Sequence, residues 1–369
     1  MESMAIRGAA SYMPSSIIYS VARKPYRVEV NYPKGKPPQY FLAKDVRFKG
    51  KKSKVKKYLG KKPPTPEEVE RYSHEYAFDI ENRVALKKAE LSTTLYKSDY
   101  LSFAEVQNIE ELRFIYKTFT DLLTANEIEA YEQKFEVHYV QGTTSIEGNT
   151  FSVEETHDLL VEGIQPGNKP LREINEIQNF KKVKQFRDKY RGKVTVNFIK
   201  LLHSMIMDNI DYESAGAFRR TDDIGIIGCD LIVSPSIMIE DELQELIDEY
   251  YSNLEVGKYP FEEAVLFHYK FEMIHPFADG NGRVGREVFN YMLIKEDYPR
   301  LLFLGTDREK YISTLKLGNE GNYGQMVQNF ADIILFQRAE VLKENLRKVI
   351  CPPKKDGQMR LNDFDMGLR

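Results

Sequence analysis

The chain of 369 residues is 42% hydrophobic and 30% charged, values near the average of folded domains, which excludes a collagen-like, purely coiled-coil or wholly disordered chain. At roughly 150 residues per domain the length makes two or three units or one large one, enough to bury a core without disulfide or metal staples. The net charge of −3 is unevenly spread: residues 1–62 hold 16 Lys+Arg against 3 Asp+Glu, and the rest carries the acidic excess. Such a split predicts two modules with different partners.

Cys229 and Cys351 lie far apart, which excludes a disulfide framework and a paired-cysteine zinc site and fits a reducing compartment. No apolar run approaches the roughly 18 residues that span a bilayer. Residues 1–20 lack the apolar core of a signal peptide. The expectation is a soluble cytoplasmic protein with no membrane partner.

Residues 1–64 read as a small basic β-rich module. Tyr26 to Tyr32 alternates apolar and polar, Pro33 to Pro38 turns the chain, and Tyr40–Phe48 and Val55–Leu59 read as further strands. From Arg47 to Lys62 there are nine basic residues and no acidic one. That run suits either a nucleic-acid or acidic partner or a lysine-coated edge that blocks sheet-to-sheet aggregation. The period-2 spacing predicts that Tyr40, Phe48 and Tyr58 face the module's own core. Residues 65–123 read as a helical connecting region, opened by Thr65-Pro66-Glu67-Glu68 as a capping box. Val69, Tyr72, Tyr76, Ile80 and Val84 form one apolar stripe. Residues 124–349 read as a helical domain, with capping boxes at Thr124 and Ser152. The helix from Thr124 runs towards Gly142, and others open at Thr195 and Pro260. Ile224 to Val233 is β-branched and Gly-punctuated, and it reads as a short hairpin between helices. Residues 350–369 form a C-terminal tail.

The segment from His275 to Arg286 carries the chemistry. It reads as a helix end, a glycine-rich loop and a helix start, with Val284, Val288 and Tyr291 to Ile294 as the inward face of the second helix. Gly280-Asn281-Gly282 at the helix N-terminus exposes backbone N–H groups where the dipole is positive, an anion site suited to phosphate. Arg283 and Arg286 share one face and reach polyphosphate oxygens. Asp279 is the loop's one carboxylate, and Mg²⁺ is typically held by one or two carboxylates plus substrate phosphates. His275 stands where it can take a proton from an attacking hydroxyl. His268 and His203 read as packed helix histidines.

This segment resembles in full the signature of the Fic family, His-x-Phe-x-Asp/Glu-Gly-Asn-Gly-Arg-x-x-Arg. Eight such constrained positions arise by chance in a chain of this length with probability on the order of 10⁻⁸. Gly216-Ala217-Phe218-Arg219 resembles the family's Gly-x-Phe/Tyr-Arg before its target-binding flap, and the 224–233 hairpin falls where that flap belongs. The resemblance covers roughly residues 120–340. It implies a mainly α fold: a Fic-type helical core with a small β-hairpin flap, preceded by the basic β-rich module.

The resemblance also implies roles. His275 is the expected general base. Asp279 is the expected Mg²⁺ ligand. Gly280, Asn281, Gly282, Arg283 and Arg286 are expected to bind ATP phosphates, and Ile224, Gly225, Ile226 and Ile227 to dock the target. Gly282 separates the chain from a kinase-like branch that carries Lys there. Thr143 to Gly148 resembles the family's Ser/Thr-x-x-x-Glu-Gly/Asn signature, in which Glu147 ends an inhibitory helix and pairs with Arg286. The alternative is an ordinary surface carboxylate before a helix-ending glycine. The implied activity is a self-inhibited, Mg²⁺-dependent protein adenylyltransferase that moves AMP from ATP to a Ser, Thr or Tyr hydroxyl. Its partner is a target protein, with self-modification and a homodimer as options. The reverse reaction on the same site and a nucleotide-sensing nucleic-acid-binding regulator remain open.

Overall fold

A computed structural model describes residues 26–222, 233–351 and 364–366. Three antiparallel strands, β1 (Arg27–Asn31), β2 (Gln39–Phe48) and β3 (Lys51–Gly60), form a sheet in the order β1-β2-β3. Its inner face sets Leu42, Val46 and Val55 against Ile80 and Val84 of the following helices, with Val69, Tyr72 and Tyr76 at the margin. The apolar stripe read from the sequence is thus the surface on which the sheet lies. Phe41 pairs with Tyr58; one is next to Leu42 and the other three positions from Val55, so alternation puts both rings on the outer face, 5.4 Å apart. Tyr58 is 46% exposed, so the expectation that it faces the core is corrected. On the same face Glu29 pairs with Arg27, Lys54 and Lys56, and Asp45 with Arg27, so part of the basic charge is neutralised locally.

The remainder of the described chain is helical. In order it comprises α1 (Pro66–Glu75), α2 (Ala77–Thr93), α3 (Phe103–Leu122), α4 (Ala125–Ile146), α5 (Val153–His157), α6 (Leu171–Lys189), α7 (Val196–Ile206), α8 (Ile239–Glu255), α9 (Pro260–Ile274), α10 (Asn281–Lys295), α11 (Arg308–Asn319) and α12 (Tyr323–Ile350). The capping boxes at Thr65, Thr124 and Ser152 all form, each with the hydroxyl accepting from the third backbone N–H and the glutamate answering. Thr195 accepts from Phe198 N at the start of α7.

Helices α9 and α10 form the centre. Phe261, Val265 and Phe271 of α9 and Val284, Val288 and Phe289 of α10 are each at most 1% exposed. Helix α10 is buried almost all round, but Ile294 at its end is 38% exposed and leaves the inward face assigned to it. Helix α4 runs past Gly142 to Ile146. It passes so close to the 303–304 segment that a side-chain carbon at Gly142 would lie 2.1 Å from the Phe303 carbonyl oxygen. A buried ion cluster also fixes α4. Glu136 accepts from Arg187 and from Arg300, each at 2.7 Å, and Arg187 reaches Glu287 at 2.8 Å. Burial alone would raise the Glu136 carboxyl, but the two guanidinium groups outweigh it and hold it down at about 2. Near the C-terminus, Phe364 packs its ring against Phe119 and Tyr131.

Candidate active site

The α9–α10 connection is built by side chains that close on their own loop. Asn281 donates Nδ2–H to the Phe277 carbonyl at 2.7 Å and accepts from Phe277 N at 2.8 Å. His203 of α7 stacks on Phe277 with centroids 3.7 Å apart. Its Nδ1 accepts from Gly216 N at 2.9 Å, so Nε2 carries the hydrogen, donated to the Asp279 carbonyl at 3.0 Å. Burial lowers this imidazole to about 4, which keeps it neutral and able to make both bonds. His203 is therefore a packed histidine, as read from sequence, and it also braces the loop. His268 is fully buried, bonded through Nε2 to the Tyr311 hydroxyl at 2.8 Å.

His275 ends α9 in the left-handed region (φ 49°, ψ 61°), a conformation uncommon for a residue with a side chain and concentrated at functional sites. Arg219 holds it there. Its Nε–H donates to the His275 carbonyl at 2.8 Å and its Nη2 to the Ile274 carbonyl at 3.3 Å, while Nη1 donates to the Thr221 carbonyl at 2.9 Å and Nη2 also to the Ser234 carbonyl. One buried guanidinium thus joins both ends of the 222–233 segment to the histidine backbone. Ile224, Gly225, Ile226 and Ile227, the expected docking flap, lie outside the described residues. His275 Nδ1 is buried with no hydrogen-bond partner. Burial lowers the imidazole below its ordinary value, with the Glu272 carbonyl pulling the other way.

Asp279 accepts from Arg283 at 2.9 Å, from Arg172 at 2.5 Å and from Gly280 N at 2.5 Å. Burial would raise its carboxyl, but these neighbours outweigh it and keep it ionised below the usual range. Arg283 is 2% exposed and also reaches Glu176 of α6 at 3.2 Å. Arg172 and Glu176 escaped the sequence reading, since nothing in their spacing points to a loop a hundred residues away.

Arg286 lies buried between two elements. Its Nε–H donates to Thr143 Oγ1 at 2.8 Å, and its Nη2 donates to the Thr143 carbonyl at 2.9 Å and to Glu147 Oε1 at 2.6 Å. Glu147 caps the C-terminal end of α4, and its side chain is a third exposed. Burial works to raise its carboxyl and Arg286 wins, holding it below its ordinary value. A side-chain carbon at Gly282 would lie 2.5 Å from Glu147 Oε1 and 2.7 Å from Arg286 Nη1, so a glycine here is what allows the pair to sit over the helix N-terminus.

These groups face one cavity of about 460 Å³. Its lining brings together Glu147, His275, Asp279, Gly280, Asn281, Gly282 and Arg286. Arg283 is absent from that wall and acts on it through Asp279. Helix α11 completes the lining with Arg308, Tyr311, Ile312, Leu315 and Asn319. Sequence reasoning missed α11, whose amphipathic pattern is that of any packed helix. Among the described residues no cluster of three or more His, Cys, Asp or Glu side chains could hold a metal ion. No described helix is long and apolar enough to cross a membrane.

Residues 193–293 match the Fic/DOC family. Protein adenylyltransferase fic-1 of Caenorhabditis elegans is 29% identical over 198 residues, 52% of this chain and 38% of its own length. Protein adenylyltransferase Fic of Drosophila willistoni is 30% identical over 210 residues, 55% of this chain and 40% of its own length. The chain thus spans about two fifths of the length of these curated relatives. Among solved structures, a Fic domain containing signaling protein from Bacteroides thetaiotaomicron superposes with a TM-score of 0.58 at 21% identity, covering 69% of this chain and 99% of that one. A fragment of Fic-1 from C. elegans gives 0.56 at 21%, covering 76% and 83%. At such identities the structural likeness speaks for the fold. The complete loop signature lies within the stretch, residues 193–293, that matches the Fic/DOC family, and the helical fold around it is shared with Fic-domain structures.

Proposed function

We propose that the chain transfers AMP from ATP to a hydroxyl group of a protein, and that Glu147 holds the activity back. The observation that supports this reading is that the α10 N-terminus, the buried Arg286 and His275, whose Nδ1 has no hydrogen-bond partner, meet in one cavity with apolar side chains in its lining. Its volume of about 460 Å³ suits a small ligand the size of a nucleotide. The curated relatives are named as adenylyltransferases.

In this reading α11 takes the nucleoside and the α10 N-terminus takes the phosphates. The target hydroxyl attacks the α-phosphorus while His275 removes its proton. The bond between the α-phosphorus and the bridging oxygen breaks, and pyrophosphate leaves. Charge builds on phosphoryl oxygens, so positioned N–H groups and arginines matter more than covalent chemistry. His275 is suited to its role because burial keeps it neutral. Asp279 fits a Mg²⁺ ion shared with substrate phosphates, since its carboxylate stays ionised and faces the cavity. Such an ion would neutralise phosphate charge.

Glu147 occupies the guanidinium that a γ-phosphate would use, which is the basis for self-inhibition. Its carboxylate also shares the cavity with His275, an arrangement that could orient water for the reverse reaction, removal of AMP. The test is incubation with labelled ATP, GTP, CTP and UTP in turn, with and without Mg²⁺, using the parent and Asp279→Ala. Label from ATP that depends on Mg²⁺ and is lost in Asp279→Ala supports the reading. Incorporation that ignores both, or none from any nucleotide even with Glu147→Gly, overturns it.

A further inference from the structure

Glu272 sits one helical turn before His275 on α9, and the proposed chemistry leaves it unused. It is 8% exposed and lines the nucleotide cavity. Its Oε1 is buried with no hydrogen-bond partner. Native folds leave few buried oxygens without a donor, and those that remain call for an explanation such as a catalytic role or a bound partner.

The chain also makes room for this carboxyl. A side-chain carbon at Gly285 would lie 2.4 Å from Glu272 Oε1, so the carboxyl rests on the α10 backbone immediately before Arg286. The charged and titratable groups around it come from three other elements: Glu147 from α4, Arg286 from α10 and Tyr311 from α11. Its surroundings are therefore those of Arg286, at the end of the cavity that the proposed function gives to the γ-phosphate.

We propose that Glu272 reads the terminal phosphate of the donor nucleotide. In its protonated form its O–H donates to a phosphate oxygen beside Arg286, and in its ionised form it repels that phosphate. This rests on the reading that the cavity takes a nucleoside triphosphate. A nucleotide lacking that phosphate is indifferent to Glu272, so the residue sets both preference for a triphosphate and the pH range in which one binds.

Burial pushes the Glu272 carboxyl up to about 7, with Arg286 opposing the shift and Glu147 adding to it. The neutral, binding-competent fraction then falls from about nine in ten at pH 6 to about one in ten at pH 8, and apparent ATP affinity falls about tenfold with it. Removing Glu147 takes away a like charge, so in Glu147→Gly the fall moves to lower pH.

The experiment is calorimetric titration of ATP and AMP into the full chain at pH 6, 7 and 8, at fixed Mg²⁺, for the parent, Glu147→Gly, Glu272→Gln and the double variant. ATP's own ionisation is common to all and cancels between variants. The expected result is an ATP affinity in the parent and in Glu147→Gly that falls about tenfold more steeply than the AMP affinity. In the Glu272→Gln chains, whose neutral amide keeps a donor, this extra fall disappears. An unchanged ATP slope in Glu272→Gln overturns the proposal while leaving the proposed function standing. So does a difference in slope between ATP and AMP that is the same in the parent and in Glu272→Gln. Absence of binding by either nucleotide, with or without Glu147, overturns the proposed function and this inference together.

Discussion

Replacing Glu147 with Gly frees Arg286 without dismantling its site. Arg286 keeps its bonds to Thr143 Oγ1 and the Thr143 carbonyl, so the guanidinium should stay aimed into the cavity. What is lost is the 2.6 Å bond from Nη2 to Glu147 Oε1. A hydrogen bond between charged groups contributes about 1.5–3 kcal/mol. The carboxylate is a third exposed, so solvent screening argues for the lower half, about 1.5–2 kcal/mol. Relief of that competition should tighten ATP binding about 10- to 30-fold. Glu147 ends its helix at φ −87°, ψ 2°, where glycine costs at most ~1 kcal/mol, so only a small loss of thermal stability is expected. Calorimetry with ATP and label incorporation should be compared for the parent, Glu147→Gly, Arg286→Ala and the double variant. Arg286→Ala should be inactive in either background. If Glu147→Gly binds ATP no more tightly and labels itself no faster than the parent, the self-inhibition argument is wrong. Glu147 then returns to being a helix-end carboxylate, or to a role in the reverse reaction.

Three further expectations follow from the same geometry. Gly282→Ala places a carbon 2.5 Å from Glu147 Oε1 and 2.7 Å from Arg286 Nη1, so it should break the pair and also crowd the phosphate site; ATP affinity that matches Glu147→Gly would mean that the cavity tolerates the methyl. His275→Ala should abolish transfer and spare ATP binding, and the parent's rate should rise with pH through a midpoint below the ordinary imidazole value, because burial lowers His275 and only the neutral ring accepts a proton; a midpoint above that value in single-turnover kinetics would remove His275 as the base. Glu136→Ala leaves Arg187 without one of its carboxylates and Arg300 with Glu132 alone, which should cost about 3–5 kcal/mol by denaturant unfolding. In the parent the Glu136 carboxyl is held down at about 2, so its contribution is complete above the usual carboxylate range and is lost as pH falls towards 2; the Glu136→Ala chain should lack that acid-sensitive portion of its stability.

Local chemistry was legible in the sequence because it is decided within a few residues. A threonine or serine followed three positions later by glutamate fixed the starts of α1, α4 and α5, since hydroxyl and carboxylate each satisfy a backbone N–H that the helix leaves free. The period-2 alternation placed the sheet, and the loop from His275 to Arg286 declared a phosphate-suited helix N-terminus through its own glycines and arginines. Tyr58 was misread because it stands three positions after the core-facing Val55 in β3, and strand alternation puts residues an odd number apart on opposite faces. Tertiary structure decided which distant groups reach the loop. Arg172 and Glu176 of α6 meet Asp279 and Arg283 across about a hundred residues, and α11 supplies part of the cavity lining. Glu272 reads in sequence as one more helix carboxylate, and only packing against α10 leaves its oxygen buried without a donor. Periodicity and capping record short-range hydrogen bonding and burial, whereas the meeting of Glu147 with Arg286 depends on how α4 is clamped by Glu136 and by the close approach at Gly142. That clamp is the sum of long-range contacts, which no single stretch of the chain encodes.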